Sequence, residues 1–207
     1  MHARGDVQLS FDLGAAPDGL IYLPDFIDAA EERLLLDAMS GIEWHQVVMH
    51  GTAAKRTVAH FGVTYGYNAW SLEPAPPLPP WVAPLVARVA AAMHEPPNAV
   101  GHLLVSQYPA GARIGWHRDA PMFGPSVAGL SLSGACELQL RRKRGDGFER
   151  WSHALEPRSL YVLGGAARAV WQHMIPPVPA ERWSLTFRAL LPGGRASRAT
   201  LRRAGAA

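Results

Sequence analysis

The apolar positions along the chain change their period near Gly101. Before it, GLIYLPDFID (19–28) reads as a strand and a turn, and AAEERLLLDAM (29–39) sets Leu34, Leu35, Ala38 and Met39 on one helical stripe. Asp28 stands as that helix's N-cap, with Glu31 at the third helical position as in a capping box. A stretch rich in aromatics and strand formers runs from Trp44 to Trp70 and leads into SLEPAPPLPPW, expected to be a rigid surface connection. WVAPLVARVAAAMHE (81–95) reads as a second helix, with Pro84 in its first turn. From Gly101 the pattern is short strands: HLLVSQY, RIGWHRD, VAGLSLSG, CELQLRRK, SLYVLGG, RAVWQHM and RWSLTFRALL. Turn-forming stretches such as PAGA, APMFGPS and GDG separate them. Two helices followed by seven or eight strands predict an α+β fold whose later half is a jelly-roll-like double sheet.

Composition narrows the picture. A chain of 207 residues with 48% hydrophobic and 18% charged residues fits one globular domain. Residues 1–18 read as a loose leader and 193–207 as a basic tail, leaving 19–192 as the domain. No apolar run approaches the roughly 20 residues that span a bilayer, and the start lacks a charged-then-apolar signal pattern. Cys136 is the only cysteine, which excludes an intramolecular disulfide framework and a cysteine-built zinc site. A cytoplasmic monomer is the expectation. Of the 20 Lys and Arg residues only Lys55 and Lys143 are lysine, so the cations are forked donors suited to phosphate or carboxylate.

The candidate chemistry sits in RIGWHRD. On a strand, Gly115, His117 and Asp119 share a face, and two such side chains can reach one metal ion. An H-x-[DE] triplet alone arises about once by chance in a chain of this composition. The surroundings give it weight. His173, in RAVWQHM, is a candidate third ligand. In RWSLTFR, Arg182, Ser184, Thr186 and Arg188 alternate with Trp183, Leu185 and Phe187, so one face carries an arginine at each end. An inward arginine in a small sheet is costly unless it meets an anion, and two of them suit a dicarboxylate. Two His and one carboxylate with open positions form the ligand set of non-haem Fe(II) oxygenases. A dicarboxylate beside such an iron suggests 2-oxoglutarate.

These motifs together, SQYPAGARIGWHRD (106–119), LSLSG (130–134), WQH (171–173) and RWSLTFR (182–188), resemble the AlkB family of Fe(II)/2-oxoglutarate-dependent dioxygenases. The 54 positions between Asp119 and His173 fit that family's spacing. The resemblance implies a double-stranded β-helix core with N-terminal helices and a nucleotide-recognition lid, here about 44–72. It implies Fe(II) on His117, Asp119 and His173, with 2-oxoglutarate as cosubstrate and O2 as oxidant. Tyr108 and Arg182, with Ser184 nearby, would hold the distal carboxylate, and Arg188 would sit by the metal-side one. Ser106 stands where many members have Asn, which shortens or removes that contact.

The implied activity is oxidative dealkylation of N-alkylated bases such as 1-methyladenine and 3-methylcytosine in DNA, with aldehyde, succinate and CO₂ as products. The target base must leave its stack. The F-G-x-T-Y-x-Y run resembles the family's lid hairpin, which makes Tyr67 the first candidate to stack on that base, with Tyr65 and Trp70 behind it. Lys55, Arg56, Arg118 and the run Arg141–Arg144 are candidate phosphate contacts. Several nucleic-acid dealkylases of the family carry an acid just after His-x-Asp, where this chain has Ala120 and Pro121. A related dioxygenase acting on RNA, tRNA or a protein side chain, and a non-catalytic nucleic-acid-binding module, are the competing readings.

Overall fold

A computed structural model describes residues 15–49, 52–66 and 71–191. The elements run β1 (Leu20–Leu23), α1 (Ala29–Met39), β2 (His45–Met49), β3 (Thr52–Phe61), β4 (Val63–Gly66), β5 (Ser71–Pro74) and α2 (Ala83–Ala92). They continue with β6 (Val100–Tyr108), β7 (Ile114–His117), β8 (Phe123–Leu132), β9 (Cys136–Arg144) and β10 (Gly147–Leu155). Last come β11 (Leu160–Leu163), α3 (Gly165–Ala169), β12 (Gln172–Ile175) and β13 (Arg182–Leu190). The chain is thus mostly antiparallel sheet with few helices, a jelly-roll arrangement. A seven-stranded sheet in the order β1-β11-β8-β13-β6-β3-β2 faces a four-stranded sheet in the order β10-β9-β12-β7, and β4 pairs only with β5.

The larger sheet is apolar on the side that meets the helices. Leu103 and Val105 of β6, Leu130 and Leu132 of β8, and Leu185 and Phe187 of β13 pack there with Leu35 and Met39 of α1 and Leu85 and Val89 of α2. Asp28 caps α1 as expected, accepting from the Ala30 and Glu31 amides while the Glu31 carboxylate returns to the Asp28 amide. The apolar stripe is narrower than the sequence suggests: Leu34 is 69% exposed. Successive helical residues are about 100° apart, so burying Leu35 turns Leu34 outward. On its other side the larger sheet faces the four-stranded one across a second core that includes Tyr108, Leu138, Leu140, Tyr161, Leu163 and Trp171.

Several expected boundaries move. β10 does not appear among the expected strands, and RAVWQHM is a strand only from Gln172, because Arg168 belongs to α3. β7 ends at His117, so Asp119 lies two residues beyond it and not on a continuous strand face. The first residues of SLEPAPPLPPW form β5. Pro17 and Asp18, expected in the leader, are tied in: the Pro17 carbonyl accepts from Leu20 and the Asp18 carbonyl from Ala167. Of the stretch expected as a lid, β2 and β3 extend the seven-stranded sheet, while β4 and β5 make a separate hairpin. The tail from 192 onward lies outside the described residues. No described helix is long and apolar enough to cross a membrane.

Candidate metal centre and its pocket

Strand register builds the pocket wall. On the inner face of the seven-stranded sheet, β13 pairs with β6 so that Arg182 stands opposite Tyr108, Ser184 opposite Ser106 and Arg188 opposite His102. Ser184 also pairs with Ser131 on β8. The alternation read in RWSLTFR is real: Leu185 and Phe187 go to the helix side, and both arginines are buried on the other. Gly129 on β8 has a structural reason. A Cβ there would lie 2.4 Å from ring atoms of Tyr161, so only a bare Cα lets that ring cross the sheet.

Arg182 is 1% exposed. Its Nη2 donates to Ser131 Oγ at 2.9 Å, its guanidinium lies 5.1 Å from the Tyr108 ring centroid, and its Nε has no partner. A second cation stands beside it. Arg56, on β3, is only 8% exposed; its Nη1 donates to Ser106 Oγ at 3.3 Å and its guanidinium lies 5.7 Å from the same ring. Arg56, expected as a phosphate contact, is buried with its guanidinium turned toward Ser106 and Tyr108. Ser184, Ser106 and Tyr108 are likewise buried along this wall.

The candidate metal ligands come together at the other end. His117 on β7 and His173 on β12 face each other in register, with ring centroids 4.2 Å apart. Asp119 presents its two oxygens differently. Oδ1 accepts from Arg188 Nε at 2.8 Å and Nη2 at 2.6 Å, while Oδ2 is buried without a hydrogen bond, 3.6 Å from His173 Nε2. Burial alone would raise the Asp119 carboxyl, but the Arg188 guanidinium above all, with Arg168 nearby, holds it below the usual carboxylate range. Burial pushes His173 down to about 3, with His117 adding to it, and burial also lowers His117. His173 is then neutral near pH 7, and its contact with Asp119 is not an ion pair. His117 Nδ1 lies 2.8 Å from the Gly115 carbonyl; a neutral ring donating there keeps the lone pair on Nε2.

Two imidazole nitrogens and one carboxylate oxygen that lacks a partner are what a divalent iron ion takes as ligands. Among the described residues no trio of His, Cys, Asp or Glu is already closed around one point. The fit rests on donor chemistry and on the orphaned Oδ2.

Two supports of this centre were not apparent in the sequence. Arg168, 9% exposed, donates from Nη1 to the Asp119 carbonyl at 3.0 Å and from Nη2 to the Ala120 carbonyl at 2.9 Å, pinning the loop that carries the ligand. Arg188 Nη1 lies 3.1 Å from His102 Nδ1, and His102 Nε2 lies 3.2 Å from His60 Nδ1. Because a guanidinium only donates, His102 accepts at Nδ1, carries its proton on Nε2 and donates to His60. Burial keeps both rings neutral, with His60 lowered to about 4 and His102 further. Arg118 is exposed and donates to the Ala169 carbonyl at 3.3 Å. Tyr67 and Trp70 lie outside the described residues, and of Tyr65 only the backbone pairing with Leu72 is described.

A partnerless carboxylate oxygen beside a neutral imidazole asks for a cation, and buried guanidinia on the same sheet face ask for an anion. Together they fit the donor set of a non-haem iron centre with an acidic cosubstrate. Comparison with known proteins points the same way. The 2OG-Fe(II) oxygenase superfamily matches residues 19–188, and the chain belongs to it. It is 30% identical over 181 residues to "Alkylated DNA repair protein ALKBH8 homolog" of Arabidopsis thaliana, covering 76% of this chain and 51% of that protein. It is 27% identical to "Alpha-ketoglutarate-dependent dioxygenase alkB homolog 3" of Mus musculus, covering 89% and 72%. It is 26% identical to "tRNA (carboxymethyluridine(34)-5-O)-methyltransferase ALKBH8" of Mus musculus, covering 80% and 25%. The chain thus spans about half of the first of these and a quarter of the last. Among solved structures, that of OsALKBH1 superposes with a TM-score of 0.61 at 17% identity, over 84% of this chain and 97% of that one. Membership in that superfamily makes this chain a 2OG-Fe(II) oxygenase domain, a family whose cofactors are Fe(II), 2-oxoglutarate and O2, with AlkB homologues among its relatives.

Proposed function

We propose that the protein removes N-alkyl groups from nucleobases such as 1-methyladenine and 3-methylcytosine in DNA, as a direct-reversal repair enzyme. The observation that carries this reading is Asp119 Oδ2, buried, ionised and free beside His173, held by Arg188 on the same strand face that carries buried Arg182. His117, Asp119 and His173 would hold Fe(II), which supplies dioxygen activation coupled to oxidation of 2-oxoglutarate to succinate and CO₂. Arg182, with Tyr108, Ser184 and Ser131 around it, would bind the distal carboxylate by charge-assisted hydrogen bonds. Arg188 holds the Asp119 carboxylate in its ionised form, and Arg168 fixes its backbone. Hydroxylation of the N-alkyl carbon gives a hemiaminal, which breaks down to aldehyde and the unmodified base.

Support for a nucleic-acid substrate comes from the relatives: the Arabidopsis protein's name gives alkylated DNA repair. A tRNA substrate is the second reading, favoured by the mouse relative whose name gives tRNA and by Ala120 and Pro121 in the places where an acid would read a base amino group. Formaldehyde release from iron-loaded protein given methylated single-stranded DNA, methylated tRNA or a methylated peptide separates them. Release from DNA is expected, and turnover of tRNA alone would overturn the DNA reading.

A further inference from the structure

The outer face of the four-stranded sheet carries cations that pair with no carboxylate among the described residues. Arg141 pairs in register with Arg150, and Lys143 with Phe148. The adjoining pair Leu140 and Trp151 points inward, so alternation turns these four outward. The Arg141 guanidinium lies 4.4 Å from the ring centroids of both Trp116 and Phe148, and that of Arg150 lies 5.7 Å from Trp116. Glu149 lies in the same hairpin but is taken by Arg142 at 2.8 Å and Arg144 at 3.5 Å. Among the described residues, Arg141, Lys143 and Arg150 form no ion pair, and Phe148 is 49% exposed in their midst.

We propose that this face is a docking surface for a single-stranded polynucleotide, the stretch flanking the base that enters the pocket. The inference rests on the nucleic-acid reading above and extends it to a place on the fold. Cations alone would suit any polyanion. Rings set between them add a stacking partner, and a single strand offers phosphates and unstacked bases at once. A duplex keeps its bases stacked on each other, and an acidic peptide leaves the rings unused. The surface is also continuous with the metal centre: Trp116 directly precedes the candidate ligand His117 on the edge strand β7.

The test is fluorescence anisotropy with a labelled, unmethylated single strand, as DNA and as RNA, against the duplex and against polyglutamate. The variants are the triple Arg141→Gln/Lys143→Gln/Arg150→Gln and the single Phe148→Ser. The triple variant should bind at least about tenfold more weakly near 0.1 M salt, with the salt slope reduced by about 2, since each phosphate contact contributes about 0.7. Phe148→Ser should weaken binding with the slope unchanged. Both should keep the parent's affinity for 2-oxoglutarate, which shows that the fold is intact; if the triple variant does not fold, Phe148→Ser and Arg150→Gln alone carry the test. Parental affinity in these variants, or equal binding of duplex or polyglutamate, overturns the surface. Should that happen while the protein still demethylates bases, the activity stands without it. Strand binding through this face with no formaldehyde from any substrate leaves the surface standing and removes the dealkylase reading.

Discussion

Arg188 grips Asp119 through one carboxylate oxygen only, with two nitrogens at 2.8 and 2.6 Å, and leaves the other oxygen bare. That division holds the carboxylate ionised in a buried setting while keeping a donor free for a metal. Arg188→Lys retains the charge but loses the two-nitrogen grip, and Arg188→Met loses both. Partners that orient a ligand are worth about 10–100-fold in metal affinity, so Arg188→Met should fall in that range and Arg188→Lys near its lower end. Calorimetric titration with Mn(II), a redox-quiet stand-in for iron, checks this. Unchanged affinity in Arg188→Met would contradict the role given to the pair.

Arg182 faces no carboxylate among the described residues and has an unpartnered Nε. Hydrogen bonds to a charged group contribute about 1.5–3 kcal/mol, so Arg182→Ala should raise the 2-oxoglutarate requirement about 10–150-fold. His117→Ala should instead abolish iron binding. Steady-state kinetics in 2-oxoglutarate distinguish the two, and an unchanged requirement in Arg182→Ala would show that the β13 face does not bind the cosubstrate.

Gly129→Ala probes the packing of the pocket wall. The new Cβ would collide with the Tyr161 ring, which is buried and has no flexible end to move away. Overpacking of this kind costs about 1–3 kcal/mol, which thermal unfolding reads as a melting temperature lower by several degrees. Parental stability would mean that the sheet relaxes at no cost.

The buried histidines set an acid limit. His173 and His60 are lowered to about 3 and about 4, and His102 is lowered as well. A group kept neutral by folding contributes its full stability above its unfolded value, about 6.5 for His. That contribution declines as the pH drops through 6.5 and goes on declining toward the folded values. Metal-free protein should therefore lose melting temperature steadily from about pH 6.5 to pH 4, and His60→Gln should flatten part of that slope. A flat profile over this range would contradict the neutral, buried assignment.

The centre was legible because its signals are local and periodic. His117 and Asp119 stand two apart, and RWSLTFR alternates strictly, so both arginines could be read as inward without a fold. What was missed depends on pairings distant in sequence. Arg56 looked like a surface cation beside an expected lid, and only the register of β3 on β6 brings it under Tyr108. Arg168 looked like the start of a strand, whereas α3 turns it back over Asp119 across 49 positions. β10 escaped notice because most of its residues are exposed or half-buried, so no apolar alternation marks it. The basic run Arg141–Arg144 read as one patch, but the sheet divides it, sending Arg141 and Lys143 outward while Arg142 and Arg144 pair with Glu149.

The most direct test of the central claim is succinate formation. Iron-loaded protein is incubated with 2-oxoglutarate, with and without methylated single-stranded DNA, beside the His173→Ala variant. The expected result is succinate from the parent, stimulated by the methylated strand and absent in the variant. No succinate from the parent under any condition, or equal succinate from His173→Ala, would contradict it.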